Sequence, residues 1–273
     1  MFTEKNKEHI VMASEPNAPQ ECLDRYRIQD DLYSFPYHHI PHFDNEGVGV
    51  RFRTLHWGFE YLCYSRHIRE IVQSLRPSSV LEVGCGDGCI IGMLDWGIDR
   101  RVGVDLSEQA IRFAKAFHPE VEFLSIDARE LKETFDVVLA VEVLEHIPND
   151  HVNTLLKTLE KRTNKDGYVV ISVPTTVVPV RKKHYRHYDL NLLQKQLEEA
   201  SVPLDIVSVE YVYKKSQLVK QYLKFTQNHH WLIELRILNR LMWTYVWKRL
   251  RKTDEKHGQH LVVVLRKTNM CVL

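Results

Sequence analysis

Short apolar runs alternate with segments of helical periodicity through most of the chain. Nearly continuous apolar runs of this length are typical of strands in a parallel sheet that helices cover on both faces. The order of the elements indicates a doubly wound α/β fold. The predicted strands are residues 80–83, 101–104, 121–126, 135–141, 168–173, 205–212 and 260–265, and the predicted helices are residues 53–75, 89–96, 108–117, 150–162 and 191–200.

Two stretches interrupt the alternation. Prolines and glycines break any long periodic pattern in residues 1–52, so this stretch is predicted to be an N-terminal extension. No compact crossover connects the last two strands, and residues 214–259 are predicted to be a helical insertion between them. The organisation is therefore a core over residues 53–213, the insertion, and a closing strand with a tail over residues 260–273.

Composition and charge change this picture little. The chain has 273 residues, 44% of them hydrophobic, and a formal net charge of +1, so only a local patch would attract nucleic acid or an anionic membrane. The beginning of the chain lacks the pattern of a signal peptide, and no apolar run reaches the ~18 residues of a spanning helix. We therefore expect a cytoplasmic protein whose five cysteines are reduced.

Three glycines, Gly84, Gly86 and Gly88, follow the first predicted strand. Doubly wound sheets bind ligands where the winding reverses, commonly just after that strand. Glycines there let the backbone approach a ligand and adopt positive φ. A glycine triplet alone is a weak signal, so a tight turn without a ligand is the alternative. Cys89 stands where a dinucleotide-binding loop has its third glycine, which disfavours a dinucleotide.

Two aspartates end the next two predicted strands. Asp105 is placed to accept hydrogen bonds from both hydroxyls of a ribose, and Asp127 from an adenine amino group. Taken alone, Asp127 is better explained as a helix cap. The glycine loop and the two acids, each at the end of a successive strand, together indicate an adenosine-binding site.

The motifs around these residues resemble those of class I S-adenosylmethionine-dependent methyltransferases. The matching stretches are LEVGCGDG at 81–88, GVDLS at 103–107, FDVV at 135–138, EVLEHI at 142–147 and GYVVISVP at 167–174. The resemblance implies a seven-stranded, mainly parallel sheet with an antiparallel last strand, and S-adenosylmethionine as the cofactor. It also implies that the N-terminal extension is either a lid over the cofactor or a layer packed on the sheet. The cofactor-binding residues that it implies are Glu82, Gly84, Cys85, Gly86, Gly88, Asp105, Leu106, Asp127, Ala128 and Glu142.

In such a sheet the fourth strand ends beside the reacting sulfonium, which makes Glu142 and His146 candidates for the chemistry. His146 is a candidate general base for the proton of an acceptor hydroxyl. His184 and His187 follow the fifth strand and are predicted to line the acceptor side as further catalytic residues. The alternatives are that Glu145 and His146 cap or pack the next helix, and that the histidines after the fifth strand belong to a solvated basic loop.

The spacing of Glu142, Glu145 and His146 also resembles the E-x-x-E-H motif of metal-dependent RNA 3′-terminal ribose methyltransferases of the Hen1 type. A later histidine completes the metal site in that family, and His184 and His187 stand in the corresponding segment. This resemblance implies bound Mg²⁺ or Mn²⁺, which would lower the pKa of a hydroxyl. The same stretch resembles small-molecule methyltransferases of the ubiquinone-biosynthesis type, so both interpretations stay open.

The insertion is basic and aromatic. Between positions 214 and 256 there are eleven Lys or Arg residues and three acidic ones, and Trp243 and Trp247 are among the interleaved aromatic residues. Apolar residues recur on one helical stripe over residues 231–250. The insertion is expected to be a wall for a bulky acceptor, a homodimer surface, a helix on an anionic membrane, an RNA-binding surface, or a cover for the sheet.

These patterns favour O-methylation of a small hydroxylated metabolite or sugar-containing intermediate, with S-adenosylmethionine as the methyl donor. The likeness to small-molecule methyltransferases covers more of the chain than the metal-binding motif does. The first alternative is a metal-dependent RNA ribose 2′-O-methyltransferase. The second, from another class, is a protein that binds S-adenosylmethionine without turnover, which the presence of Glu142, Glu145 and His146 beside an intact loop disfavours.

Overall fold

The structure is a computed structural model, and it describes residues 24–25, 28, 41–43, 47, 49–51, 58–94, 97–227, 231, 233 and 235–268. Most of the N-terminal extension, and with it the predicted lid, lies outside the described residues. A short antiparallel pair of strands, β1 (Pro41–Phe43) and β2 (Gly49–Arg51), is described within it. Among the described residues, no helix is both long enough and apolar enough to cross a membrane.

A mixed sheet lies at the centre of the described part of the chain. Its strands are β3 (Ser79–Val83), β4 (Arg100–Val104), β5 (Glu122–Leu124), β6 (Phe135–Val141), β7 (Thr163–Pro174), β8 (Leu204–Lys214), β9 (Lys252–Thr253) and β10 (Gly258–Lys267). Their order is β5-β4-β3-β6-β7-β10-β8-β9. Strands β3 to β7 are parallel, and β10 is antiparallel to both β7 and β8. The winding therefore reverses between β3 and β6.

Helices cover both faces of the sheet. They are α1 (Gly58–Leu75), α2 (Cys89–Gly92), α3 (Glu108–Phe117), α4 (Val152–Arg162), α5 (Leu190–Ala200), α6 (Gln217–Thr226) and α7 (Arg236–Tyr245), which continues as a π-helical turn over Val246–Leu250. Helices α1 to α3, α6 and α7 pack with Val80 and Val137 on one face, and α4 and α5 pack with Leu81 and Val138 on the other. Because successive strand residues point to opposite faces, burial on both faces explains the continuous apolar runs.

The predicted fold class is confirmed. Each of the seven predicted strands is present, and the last one, β10, is antiparallel to its neighbours. The sheet has an eighth strand, β9, whose two residues pair with β8 and are too few to leave a pattern in the sequence. Helix α2 is shorter than predicted, because Met93 and Leu94 donate to the carbonyls of Ile90 and Ile91 in tight turns instead of continuing the α-helical pattern.

The insertion is partly core. Met242, Val246 and Leu250 of the predicted stripe are buried in the cluster that also contains the buried face of α1, whereas Leu235 and Leu238 are exposed. The stripe is therefore divided along its length: its N-terminal half is exposed and its C-terminal half is buried. The buried half packs in the core, as expected of a cover for the sheet.

Candidate active site

A cavity of about 270 Å³ opens at the carboxyl ends of β3, β4 and β6. It lies where the winding reverses, which is the position that doubly wound sheets use for ligands. Gly88 lies at the N-cap of α2 and does not line the cavity. The other predicted cofactor residues all line it: Glu82, Gly84, Cys85, Gly86, Asp105, Leu106, Asp127, Ala128 and Glu142.

The loop between β3 and α2 takes its shape from glycines with positive φ. The φ angle is 71° at Gly84 and 78° at Gly88. A Cβ atom on Gly84 would lie 2.6 Å from Cγ2 of Val143, and one on Gly88 would lie 2.7 Å from Cζ of Phe123. Both the backbone conformation and the packing therefore require glycine here, and the bare loop backbone faces the cavity.

Backbone groups of two loops fix the carboxylate of Asp105. Its Oδ2 accepts from the N–H of Gly86 at 2.9 Å, and its Oδ1 accepts from the N–H of Ser107 at 2.8 Å. A carboxylate can accept about four hydrogen bonds, so ribose hydroxyls can add to these two. Ser107 in turn caps α3, because its side chain accepts from the N–H of Ala110.

Asp127 lies in a capping turn and also lines the cavity beside Ala128. Its Oδ1 accepts from the N–H of Arg129 at 2.8 Å, and its Oδ2 pairs with the Arg129 guanidinium at 3.0 Å. Its own N–H donates to Oε1 of Glu130 at 3.1 Å. This reciprocal pattern stabilises the turn and sets the direction of the carboxylate. An adenine in the cavity would meet an acceptor that is already oriented.

Glu82, at the end of β3, and Cys85, within the glycine loop, are both buried. The N–H of Ile91, in α2, donates to Oε2 of Glu82 at 3.0 Å. Burial raises the pKa of Glu82 well above its ordinary value, which favours the neutral carboxyl, and burial raises the pKa of the Cys85 thiol as well. We therefore interpret both side chains as supports of the loop and not as charged groups that hold the cofactor.

Glu142 ends β6 with a left-handed backbone, φ 55°. Its N–H donates to the carbonyl of Ser172 at 2.8 Å, and its Oε1 accepts from the Ser172 hydroxyl at 2.8 Å and lies 3.2 Å from Nδ1 of His260. The other ring nitrogen of His260 lies 3.2 Å from Oε1 of Glu60, and the ring packs against that of Tyr64 with centroids 4.3 Å apart and an interplanar angle of 37°. Glu142 is thus the cavity end of a row of three buried or half-buried ionisable groups.

The charges in this row support one another. Burial opposes the charged form of His260, but Glu142 and then Glu60 outweigh it and raise the pKa of His260 to about 10. Burial likewise opposes an ionised Glu142, and His260 outweighs it, so the pKa of Glu142 is lowered. His260 and Glu60 could not be identified from the sequence. No sequence pattern indicates that helix α1 and strand β10 meet at the carboxyl end of strand β6.

His146 lines the cavity in the 3₁₀ turn Leu144–His146 that follows β6. Its Nδ1 lies 3.2 Å from the carbonyl of Lys183, which can only accept, so Nδ1 carries the proton and Nε2 the lone pair. Burial, with the nearby Lys183 charge, lowers the pKa of His146 to about 4. His146 is therefore a neutral imidazole at neutral pH.

A relay of hydrogen bonds likewise fixes the ring of His184. Nδ1 of His187 lies 2.6 Å from the carbonyl of Val178, and Nε2 of His187 lies 2.7 Å from Nδ1 of His184. The carbonyl accepts, so each Nδ1 donates and Nε2 of His184 carries a lone pair. His187 therefore supports His184 from behind, while the rings of His184 and His146 meet edge to face at 4.6 Å. The cavity lining includes Lys183 and Tyr185 of this segment but neither His184 nor His187, contrary to the prediction that these two histidines line the acceptor side.

Glu145 completes a cluster with these two histidines. It is 1% exposed, and neither of its carboxyl oxygens has a hydrogen-bond partner among the described residues. Burial and then the charge of Glu142 raise the pKa of Glu145 well above its ordinary value. One ligand atom each from Glu145, His146 and His184 lie within 4.8 Å of one another, which suits a divalent cation. Of the predicted metal ligands, Glu142 and His187 lie outside this cluster.

The acceptor side of the cavity includes a residue of the N-terminal extension. Arg25 lines the cavity and donates to the carbonyls of Lys182 at 2.7 Å and His184 at 2.6 Å. Its guanidinium also lies 4.5 Å from the ring centroid of Tyr185, another cavity residue. The Arg25 side chain thus connects the N-terminal extension to the segment after β7, through hydrogen bonds to two backbone carbonyls and a cation–π contact.

Comparison with known proteins identifies the family. The family described as methyltransferase domain matches residues 54–247, which is more than half of the chain. The chain belongs to this methyltransferase family. The likeness to class I S-adenosylmethionine-dependent methyltransferases, predicted from the motifs, is confirmed.

Curated relatives match part of the methyltransferase chain. A ubiquinone biosynthesis O-methyltransferase of Bradyrhizobium diazoefficiens is 33% identical over 116 residues, which are 40% of this chain and 44% of the relative. One from Dechloromonas aromatica is 40% identical over 108 residues, 36% of this chain and 45% of the relative. A trans-aconitate 2-methyltransferase of an Azoarcus species is 33% identical over 101 residues, 36% of this chain and 39% of the relative. The chain spans less than half of each relative, and their names differ in the acceptor.

Solved structures agree on the fold of the methyltransferase. Magnesium protoporphyrin IX methyltransferase of Synechocystis with bound S-adenosylmethionine has a TM-score of 0.56 at 13% identity, over 90% of this chain and 97% of that one. N-methyltransferase NodS of Bradyrhizobium japonicum with S-adenosyl-L-homocysteine has a TM-score of 0.51 at 16% identity, over 75% and 87%. At these identities the likeness concerns the architecture alone.

Proposed function

We propose that the protein transfers the methyl group of S-adenosylmethionine to a hydroxyl oxygen of a small acceptor. The observation that carries this proposal is the orientation of His146, a cavity residue whose Nδ1 donates to the Lys183 carbonyl and whose Nε2 therefore keeps its lone pair. A hydroxyl must lose its proton to become a good nucleophile, and this lone pair is placed to receive it. The O-methyltransferases among the partial relatives support the same choice.

The cavity residues suit the cofactor end of this reaction. Asp105 and Asp127 present oriented acceptors, and the glycine loop presents bare backbone. When bound, S-adenosylmethionine supplies an electrophilic methyl group on a sulfonium. The acceptor oxygen bonds to that methyl carbon as the carbon–sulfur bond breaks, and the hydroxyl proton passes to Nε2 of His146. Alignment of the oxygen, methyl and sulfur is the main contribution required of the protein.

A divalent cation, Mg²⁺ or Mn²⁺, is the second component that we propose. Glu145, His146 and His184 would hold it, because the Glu145 carboxyl oxygens, which have no partner among the described residues, lie near two ring nitrogens whose lone pairs are fixed by hydrogen bonds. The cation would lower the pKa of the acceptor hydroxyl. His146 would then be a ligand and not the base, and the two versions of the mechanism differ in their need for metal.

The first prediction concerns His146 and hydroxyl methylation. Purified protein is incubated with S-adenosylmethionine and a panel of phenols, catechols and nucleotide sugars, and S-adenosylhomocysteine is measured. His146→Ala should lower turnover by about 10²–10⁴-fold, the usual contribution of a general base, and leave cofactor affinity in calorimetry unchanged. The matched control is His151→Ala, which removes a half-buried histidine that does not line the cavity. Full turnover by His146→Ala, or turnover on amines alone, would contradict the proposal.

The second prediction concerns the cation. Mn²⁺ should bind to wild-type protein with one site in electron paramagnetic resonance titrations, and Glu145→Gln should abolish that site because it removes the ligand charge at constant shape. Glu133→Gln, at an exposed acid, should bind as wild type does. Turnover that persists in excess chelator would rule out a metal requirement and leave the general-base version in place.

The RNA ribose 2′-O-methyltransferase is the second candidate function, and the cluster of Glu145, His146 and His184 is what favours it. Its test is a short RNA in the same S-adenosylhomocysteine assay, with a matched RNA whose terminal ribose lacks the 2′-hydroxyl. Turnover on the first RNA and not on the second would select this function over methylation of a small acceptor.

A further inference from the structure

The exposed residues of α6 and α7, together with Trp231 and Leu235 between the two helices, form what we call the α6–α7 surface. Twelve large hydrophobic residues are exposed in the described part of the chain, and seven of them lie within residues 218–241. Ile237 is 75% exposed, Leu241 62% and Phe225 61%. Single exposed apolar residues are ordinary, but a concentration on neighbouring helices marks an interaction surface. Its apolar members are Leu218, Phe225, Trp231, Leu235, Ile237, Leu238 and Leu241.

Basic residues border this surface. On α7, Arg236 and Arg240 are exposed along one edge of the line through Ile237 and Leu241, and Lys248 continues that line. Two exposed lysines follow the same spacing on α6. Between positions 214 and 253 the sequence has ten Lys or Arg residues and one acidic residue, Glu234. The surface therefore combines an apolar centre with a predominantly positive border.

We propose that the α6–α7 surface docks onto an anionic lipid bilayer. A helix whose exposed side is apolar at its centre and basic at its edge matches the interface of such a bilayer, where the aliphatic residues enter the acyl boundary and the cations meet the headgroups. The apolar centre is mostly aliphatic, and aliphatic side chains cannot stack with bases, which disfavours single-stranded RNA. A two-fold dimer through this surface would bring one positive border against another, which disfavours a second copy.

The experiment is co-sedimentation of the full-length protein with vesicles of phosphatidylcholine alone or with added phosphatidylglycerol. Wild type should bind the anionic vesicles only, and binding should weaken as salt increases. Ile237→Ser with Leu241→Ser should lower the partition coefficient by about tenfold or more through lost apolar burial. Lys220→Glu with Lys224→Glu should lower the partition coefficient by about 25-fold or more, since each lysine removed contributes about fivefold.

Matched controls separate docking from general charge and folding. Lys157→Glu with Lys161→Glu makes the same change on α4, against the other sheet face, and Val207→Ser removes an exposed apolar side chain from β8. Both should bind as wild type does, and circular dichroism should show every variant folded. The proposal is overturned if wild type ignores anionic vesicles, if the controls lose binding equally, or if the two α6–α7 variants instead abolish a dimer or RNA binding.

Discussion

At the scale of single residues, the cavity depends on a row of ionisable groups that runs from Glu60 through His260 to Glu142. The 3.2 Å contacts on both sides of the imidazole place one cation between two carboxylates. At this position Glu142 has a left-handed backbone conformation, which is uncommon for residues other than glycine. Such strain persists only where contacts with neighbouring groups hold the conformation in place. Here the Ser172 hydroxyl and His260 hold the carboxylate of Glu142.

The pH dependence of stability tests this row. The folded pKa of His260, about 10, lies above its ordinary value of 6.5, so its protonation stabilises the fold fully below pH 6.5 and the contribution disappears as the pH rises towards 10. The lowered pKa of Glu142 adds stability that is present above its ordinary value of 4.5 and is lost as the pH falls through the folded pKa. The stability difference between wild type and His260→Gln, from urea midpoints, should therefore shrink from pH 6.5 to 10. A difference that stays constant over that range would contradict the ion-pair row.

At the scale of the element, the turn from β3 to α2 couples cofactor binding to packing. Gly84 meets two separate requirements, a positive φ and the absence of a Cβ atom beside Val143. Gly97 also has a positive φ, 64°, but an added Cβ there would meet no atom within 4 Å. The two glycines therefore separate backbone strain from steric conflict.

Alanine substitutions at these glycines should differ in effect. Gly97→Ala should cost about 1 kcal/mol of stability, the order of the backbone penalty alone. Gly84→Ala should cost a further ~1–3 kcal/mol from overpacking against Val143 and should weaken S-adenosylhomocysteine binding as well. Thermal unfolding and calorimetry give the two readouts, and Gly84→Ala combined with Val143→Ala should recover part of the loss. Equal effects of the two single substitutions would show that the contact with Val143 is unimportant.

The strands and the loops that follow them also show which features of the fold and the site can be predicted from the sequence. The strands, the glycine loop and Asp105 could be predicted, because each depends on neighbouring residues or on a fixed position in a repeated unit. His260 and Glu60 could not, because they meet Glu142 only after the closing strand enters between β7 and β8. Nor could the sequence show that His184, and not His187, lies in the cluster with Glu145 and His146. That arrangement depends on how the segment after β7 folds back.

At the scale of the whole molecule, the insertion contributes both to the hydrophobic core and to an exposed surface. The buried side of α7 shares a core with α1, and α1 also carries Glu60, Tyr61 and Tyr64 to the cavity wall or the row behind it. The solvent side carries the α6–α7 surface. Within the insertion, Trp243 is 4% exposed and packed in the core, and Trp247 is half-buried against the same core.

The two sides of α7 should therefore respond differently to truncation. Trp243→Ala removes a buried aromatic side chain and should cost about 3–5 kcal/mol of stability, a large part of the total for a domain of this size. Leu241→Ala, two residues away on the solvent side and 62% exposed, should change stability by no more than about 0.5 kcal/mol. Urea unfolding followed by circular dichroism measures both. Because α1 packs in the same core as Trp243 and carries Tyr61 and Tyr64 of the cavity wall, S-adenosylhomocysteine affinity should fall with Trp243→Ala and stay at the wild-type value with Leu241→Ala. A stable Trp243→Ala variant with unchanged affinity would show that the insertion is an independent appendage whose removal leaves the catalytic core intact.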